Sequence, residues 1–459
     1  MVKFPSSVLS RLKRSLRGIE VISDPAFLTA YRFDATGRRG RCRAVIFPVN
    51  REEFSRAAAG CMAMDMPVVT RGAGTGFSGG SVPVEDSVII STERMNRVLS
   101  FNRLNEQVQV EAGLVNGKLQ QFLEGEGFFY PPDPASFRVS TIGGNIAENA
   151  GGPRAYRYGV TRRYVRELEW VMPDGEFCRS GPEGIGALIT GSEGTLGMIY
   201  SAVLSVLPVP ESRLTFLLEG GTDREAMDLA SELLGLGFRP SVFEFIDSKT
   251  IQCVAEYLGL EELISGRASL FFEVEGTGIE TLEQKGIIDG FCDLKGMKLV
   301  SAEKENRREH LWELRRSISP SLARRGITKI NEDIALPLGR LSEAVGLIHR
   351  MAAERWLDCY IFGHCGDGNL HVNVMTDRRK KEEMARTADF VDALFRYVAG
   401  AGGTLSGEHG IGVTKRDYLD LVFSEEELEL QEGIKKAMDG ESRLNPGKYF
   451  DGITGGGSK

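Results

Sequence analysis

"MPVVTRGAGTGFSGGSVP", residues 66–83, carries a G-x-G-x-x-G match at Gly74, Gly76 and Gly79. That spacing marks a dinucleotide-binding Rossmann unit only where the glycines follow a strand and open a helix. Here they run into Ser81, Val82 and Pro83, and then into "DSVIIS" (86–91), which reads as a strand. Context therefore excludes the Rossmann reading. The nucleotide-binding pattern G-x-x-x-x-G-K-[ST] is absent as well. What remains is a glycine run whose successive backbone N–H groups can form a concave anion nest. Taken alone, it reads equally well as a plain glycine-rich loop.

The neighbouring sequence changes those odds. "CRAVIFPVN" (42–50) reads as a strand and "REEFSRAAAGCMAMD" (51–65) as a helix, while residues 1–30 have helical spacing. "VLSFNRLNEQVQVEAG" (98–113) and "LEWVMPDGEF" (168–177) alternate like strands. Within this α+β region lies a long loop-rich stretch, residues 130–159, and its centre, "STIGGNIAENAGG" (140–152), brackets two asparagines with two Gly-Gly pairs. Long ordered loops of this kind are usually functional. This one suits close backbone approach to a large flat or phosphorylated ligand. A third glycine block, "TGSEGTLGMIYSAVLSVLP" (190–208), precedes a boundary at "VPESR" (209–213). Beyond it, strand–helix–strand grammar resumes in "LTFLLEG", "DREAMDLASELLGLG", "PSVFEFID" and "ASLFFEVEG", which predicts a second, antiparallel α+β domain. Three further helices are expected in 306–326, 382–403 and 424–440.

Composition limits the function classes. A chain of 459 residues exceeds one compact core, so two or three domains are expected. A net charge of −8 argues against a general nucleic-acid binder. Seven cysteines are scattered without a C-x-x-C pair, which excludes an iron–sulfur cluster or disulfide framework in this chain and points to a reducing compartment. The basic amphipathic start lacks the apolar run of a secretory signal, and no stretch is apolar enough to span a bilayer. The expected location is cytoplasmic, or peripheral at a membrane through a partner. Residues 456–459 read as a disordered tail.

Only five histidines are present, and "GHCGDGNLHVNV" (363–374) holds two of them, His364 and His371. The apolar "CYIF" leads in, "LHVNV" leads out and "CGDGN" turns between them, so both imidazoles can face one point from neighbouring strand ends. In "SGEHGIG" (406–412), Glu408 supplies a carboxylate from a glycine-bounded loop. Two histidines and a glutamate form an open metal set with positions left for substrate oxygens. Read as packing residues, Asp367 forms the turn and Cys365 fills the core.

"PVVTRGAGTGFSGG", "PPDPASFRVSTIGGNIAENAGG", "RYGVT", "GSEGTLGMI", "HCGDGNLHVNV", "GEHGIG" and "LNPGKYF" occur in that order. Together they resemble the flavoprotein family of D-lactate dehydrogenase, the glycolate oxidase catalytic subunit and D-2-hydroxyglutarate dehydrogenase. The likeness runs from about residue 20 to about 450. It implies an α+β, two-subdomain FAD-binding domain of vanillyl-alcohol-oxidase type (1–211), an antiparallel α+β cap (212–403) and a C-terminal helical segment (404–455) returning to the FAD domain. By the same resemblance Arg71, Gly72, Ala73, Gly74, Thr75, Gly76 and Ser78 hold the pyrophosphate through backbone donors. Pro132, Asp133, Thr141, Gly144, Asn145, Glu148, Gly151, Tyr158, Glu193, Gly194 and Ile199 line the rest of the flavin site. The Arg71–Gly80 loop has neither His nor Cys, so FAD is expected to be noncovalent.

Oxidising a 2-hydroxy acid removes the hydroxyl proton and the Cα hydride. A divalent ion on His364, His371 and Glu408 acidifies that hydroxyl; zinc is the first expectation, manganese or iron the alternatives. His409 is then the expected base; helix geometry lets only one of Arg315 and Arg316 face the substrate carboxylate, and the resemblance implies Arg315; Asn373 and Lys329 are further expected substrate contacts. In "TKINEDIALP" (328–337), Asn331 stands near the lysine of the hydroxyglutarate enzymes, and Glu332 and Asp333 follow as an acidic pair that would repel a dicarboxylate. This favours D-lactate or glycolate, with D-2-hydroxyglutarate as the alternative. A metal-dependent hydrolase and a non-catalytic flavin subunit are the readings of other classes. Without a cluster or haem motif, the chain needs a separate electron acceptor: an iron–sulfur subunit, an electron-transferring flavoprotein, a quinone or a cytochrome. A homodimer is compatible with all of this. Sequence does not separate a dehydrogenase from an oxidase that uses oxygen directly.

Overall fold

The computed structural model describes residues 6–84, 86–260 and 266–449; the tail expected at 456–459 lies outside them. The chain divides into two compact units. The first comprises residues 1–151, 160–209 and 408–459, and the second comprises 152–159 and 210–407. The short segment 152–159 thus goes with the second unit, and the chain crosses back between Gly407 and Glu408.

In the first unit, strands β1 (Glu20–Ile22), β2 (Cys42–Phe47), β3 (Val68–Arg71) and β4 (Ser87–Ser91) form a sheet of order β1-β2-β4-β3. The β2–β4 and β3–β4 pairs are parallel. Parallel strands are covered on both faces, which is why "AVIF" and "SVII" are continuous apolar runs rather than alternating ones. The helix Arg51–Met62 starts where Asn50 accepts the Glu53 N–H at 2.9 Å. It buries Phe54, Ala57, Ala58 and Cys61 against Ala44, Ile46, Val88 and Ile90. Full burial of a side chain such as Phe54 stabilises by about 2–3 kcal/mol.

A second sheet contains β5 (Val98–Asn102), β6 (Gln107–Glu111), β8 (Val165–Val171), β9 (Phe177–Ser180) and β10 (Met198–Ser205), in the antiparallel order β5-β6-β10-β8-β9. A small ribbon pairs β7 (Phe128–Phe129) with β11 (Leu207–Pro208). The block 140–152, expected to be loop, has a short helix at its centre, Ile142–Glu148. Thr141 caps it by accepting the Gly144 N–H at 3.3 Å, the spaced pair Ile142 and Ile146 is buried, and Asn149 ends it in the left-handed conformation at φ 53°. The Gly-Gly pair hides this helix from a propensity reading, because glycine disfavours helix interiors.

The second unit is built on seven strands: β12 (Ser212–Gly221), β13 (Val242–Ile246), β14 (Ala268–Gly276), β15 (Leu299–Ala302), β16 (Thr328–Ala335), β17 (Asp358–His364) and β18 (Asn369–Thr376). Their order is β15-β12-β14-β13-β17-β18-β16, antiparallel throughout. Helices at Ser248–Leu258 and Glu305–Arg316, with a short turn at Ile318–Leu322, pack on one sheet face around Phe271, Tyr360 and Phe362. The expected single helix over 306–326 is interrupted at Ser317. Among the described residues no helix is long and apolar enough to cross a membrane.

Candidate active site

In the first unit the three glycine blocks surround one cleft of about 1200 Å3, measured to include its open side. Gly72, Ala73, Gly74, Thr75, Gly76, Thr141, Gly144, Asn145, Glu148, Gly151, Glu193, Gly194 and Ile199 line it, and Glu408 and His409 line it too. The cradle is shaped by missing side chains. A Cβ on Gly72 would lie 2.2 Å from Thr141 Oγ1, and one on Gly143 would lie 2.6 Å from Ala112 Cβ. Gly74 has φ +69°, and a Cβ there would meet the Arg71 guanidinium at 2.1 Å.

Arg71, Ser78, Pro132, Asp133 and Tyr158 are not among the residues lining this cleft. The Arg71 side chain lies beneath the loop, donating to Phe33 O at 2.8 Å and Ser81 O at 3.1 Å, and so props the glycine turn from behind. The carbonyl of Ser78 accepts the Val413 N–H at 2.9 Å. Pro132 O accepts Asn116 Nδ2 at 3.1 Å, and neither Pro132 nor Asp133 is among the lining residues. Tyr158 belongs to the second unit, where it is hydrogen-bonded to Glu275.

The cleft fits a large cofactor with hydrogen-bonding groups along its length. Thr70 Oγ1, Ser140 Oγ, Asn145 Nδ2 and Glu148 Oε2 are buried and have no hydrogen-bond partner among the described residues, and all four residues line the cavity. Burial pushes the Glu148 carboxyl well up, and the nearby Glu193 and Asp34 add to it. His409 stacks on Phe77, with ring centroids 5.1 Å apart and planes at 28°. Its Nε2 is 3.8 Å from Glu408 Oε1. Glu408 also sits against the cradle, since a Cβ on Gly151 would be 2.8 Å from its Oε2.

In the second unit the β17–β18 hairpin places His364 and His371 with ring centroids 5.2 Å apart and planes perpendicular. Both are buried. Each Nδ1 faces a carboxylate. His364 Nδ1 bonds Glu244 Oε1 on β13, and His371 Nδ1 is 3.6 Å from Asp333 Oδ1 on β16. The Glu244 hydrogen bond at Nδ1 fixes the His364 ring and directs its Nε2 outward, the arrangement that prepares histidine as a metal ligand, while the His371–Asp333 distance exceeds a hydrogen bond. Arg315 donates from Nε to Glu244 Oε2 at 2.7 Å, so Glu244 bridges Arg315 and His364. Burial pushes the Glu244 carboxyl upward, but Arg315 and His364 outweigh it and hold the group at about 2. Arg316 points away and pairs with Glu309.

Three features differ from the sequence reading. Glu332 and Asp333 are not an acidic pair at one place, because a strand sends successive side chains to opposite faces. Asp333 is fully buried and accepts Asn369 Nδ2 at 2.5 Å, Ser406 Oγ at 3.2 Å and Gly407 N–H at 2.9 Å. Its charge is thus spent on the fold and repels no substrate. Asn373 is also fully buried, accepting Asn331 Nδ2 at 2.7 Å and donating to His371 O at 3.0 Å. Glu244 was not singled out, although one charge inside the apolar run "VFEFI" is a readable signal of a buried ion pair. Lys329 Nζ is 3.4 Å from Ser319 Oγ, and burial lowers its pKa.

Comparison with known proteins adds the following. The family described as "FAD binding domain" matches residues 42–181, and "FAD linked oxidases, C-terminal domain" matches residues 209–449. Glycolate oxidase subunit GlcD of Bacillus subtilis (strain 168) is 36% identical over 432 residues, covering 92% of each chain. D-2-hydroxyglutarate dehydrogenase of Stutzerimonas stutzeri (strain A1501) is 31% identical over 464 residues, covering 97% of this chain and 99% of that one. The solved structure of p-cresol methylhydroxylase with substrate bound superposes with a TM-score of 0.80 at 14% identity, over 97% of this chain and 96% of that one. At that identity the likeness speaks to fold alone, the vanillyl-alcohol-oxidase type.

Proposed function

The chain belongs to the FAD-linked D-2-hydroxy acid dehydrogenase family, and on that premise we propose that it oxidises a small 2-hydroxy monocarboxylate, D-lactate or glycolate, to the 2-oxo acid. The observation that carries this reading is the pair of buried imidazoles on one hairpin, His364 hydrogen-bonded at Nδ1 to Glu244 and His371 with Asp333 3.6 Å from its Nδ1. We assign a divalent ion, zinc first, to His364, His371 and Glu408. Gly407, the residue before Glu408, donates its N–H to the Asp333 that faces His371, which supports this choice of third ligand.

Bound in the cleft, FAD would supply a hydride acceptor, and an ion on His364, His371 and Glu408 would supply Lewis-acid chemistry that lowers the pKa of a coordinated hydroxyl. Around them the protein's own groups have separate tasks. His409 receives the hydroxyl proton on Nε2, the nitrogen on the Glu408 side. Arg315 holds the substrate carboxylate with the guanidinium N–H groups that Glu244 does not occupy. Phe77 keeps the imidazole plane in place.

Monocarboxylate preference rests on the neutral Asn331–Asn373 pair. A distal carboxylate would have little to bind there. Electrons then leave to a separate acceptor, an iron–sulfur subunit or an electron-transferring flavoprotein. The test is anaerobic bleaching of the flavin by D-lactate, L-lactate, glycolate and D-2-hydroxyglutarate. Reduction by D-lactate or glycolate about 10-fold or more faster than by D-2-hydroxyglutarate is expected, one missing polar contact being worth that much. Faster reduction by the dicarboxylate, or by L-lactate, overturns the assignment.

A further inference from the structure

The loop that carries Glu408 and His409 is short, rich in glycine and sits at the cleft wall, so something must hold it. Glu193 does. The residue is 6% exposed, and its carboxylate accepts two consecutive backbone donors, Ile411 N–H at Oε1 and Gly412 N–H at Oε2, each at 2.7 Å. Two charge-assisted bonds to adjacent amides fix both position and orientation. Glu193 is itself over-determined. It takes the left-handed conformation at φ 53°, unusual for a residue with a side chain, and Asn445 Nδ2 holds its carbonyl at 2.7 Å. From the other side, Val413 N–H bonds Ser78 O at 2.9 Å. The loop is therefore gripped directly after His409, and Gly410 is pressed between two acids. A Cβ there would lie 2.5 Å from Glu148 Oε2 and 2.8 Å from Glu193 Oε1, at φ +86°.

We propose that Glu193 is a positioning residue, whose buried carboxylate sets the place of His409 by holding Ile411 and Gly412, rather than a group that serves chiefly to bind the cofactor. This rests on the reading of His409 as the base. A glutamine at 193 offers one acceptor where two amides need one each, so one N–H loses its partner and the loop shifts.

The test uses the full-length FAD-loaded protein with Glu193→Gln and, as a second route to the same displacement, Gly410→Ala. Amide exchange across 409–413 is expected to quicken about 10-fold or more in both. The flavin-reduction rate should fall by about 10- to 100-fold, the usual cost of misplacing a catalytic group by about 1 Å. FAD affinity should stay within about threefold of the parent, well short of the loss expected for a deleted ligand contact. Combining Glu193→Gln with His409→Ala should be no slower than His409→Ala alone, because the two act in one chain. Multiplying effects in the double variant, FAD affinity falling by as much as the rate, or unchanged exchange each overturn the proposal. Should His409→Ala alone reduce its flavin at the parent rate, the base assignment fails, and the exchange data still decide whether Glu193 holds the loop.

Discussion

Replacing Glu244 by glutamine probes the second unit most sharply. Glu244 sits mid-strand in β13 with no solvent exposure, takes Arg315 Nε and Nη2 at 2.7 Å on one oxygen and faces His364 Nδ1 with the other. Glutamine keeps the volume and loses the charge. Arg315, itself 8% exposed, then stays positive in a site that no longer neutralises it. Breaking a buried ion pair from one side costs about 3–5 kcal/mol. That is a large fraction of the roughly 5–15 kcal/mol that holds a domain together. Urea unfolding followed by circular dichroism should show a loss near the lower bound, about 3 kcal/mol, because the amide retains one weaker acceptor for Arg315. Adding Arg315→Met should recover about 2 kcal/mol of it, since a well-packed apolar replacement removes the stranded charge. FAD content should be retained throughout, because the residues lining the cleft all belong to the first unit. A loss below about 1 kcal/mol, or a double variant no more stable than Glu244→Gln, would refute the claim that this carboxylate neutralises the buried Arg315 while it bridges to His364.

Further outcomes follow from single contacts. Gly143→Ala should purify with little yellow colour, because its Cβ would be 2.6 Å from Ala112 Cβ and 2.9 Å from Ala112 O; overpacking of about 1–3 kcal/mol converts to about 10- to 100-fold in FAD affinity, read by titration of the apoprotein. Asp333→Asn should weaken zinc binding by about 10- to 100-fold in isothermal titration, since it blunts the carboxylate behind His371. Lys448, 2% exposed, is held by burial at a pKa of about 8. The unfolded lysine keeps its proton to about 10.4, so between those values the unfolded state binds more protons and wild-type stability rises with pH. Relative to Lys448→Met, the wild type should therefore gain up to about 3 kcal/mol between pH 7.5 and 10.5 in paired urea titrations, and a flat difference contradicts the buried-cation reading.

The cofactor side was readable largely because glycine is diagnostic: where a Cβ would strike Thr141, Ala112 or Arg71, no other residue serves. Much the same holds for His364 and His371, two scarce residues on a hairpin whose turn chemistry is plain. What hid from the sequence were the supports. The Arg71 side chain is a strut beneath the loop whose backbone the sequence singled out, because whether a side chain points above or below a loop depends on tertiary bonds, here to Phe33 and Ser81. Glu332 and Asp333 looked like one acidic feature, and strand alternation separates them. The helix Ile142–Glu148 was masked by its glycines, although Thr141 and the spaced isoleucines announced it. Glu193 holds the loop at 411–412 from more than two hundred positions away, a relation that only the fold reveals.

The central claim is that a metal ion on His364, His371 and Glu408 acidifies the substrate hydroxyl for His409. Its most direct test is the rate of anaerobic flavin reduction by the preferred hydroxy acid in protein stripped by a chelator and then reloaded with zinc or manganese. The account predicts that stripping slows reduction by at least about 100-fold while FAD stays bound, and that reloading restores the rate, because a bound ion shifts a coordinated hydroxyl's acidity by many orders of magnitude. Metal-free protein that keeps its FAD and bleaches at the original rate would contradict it.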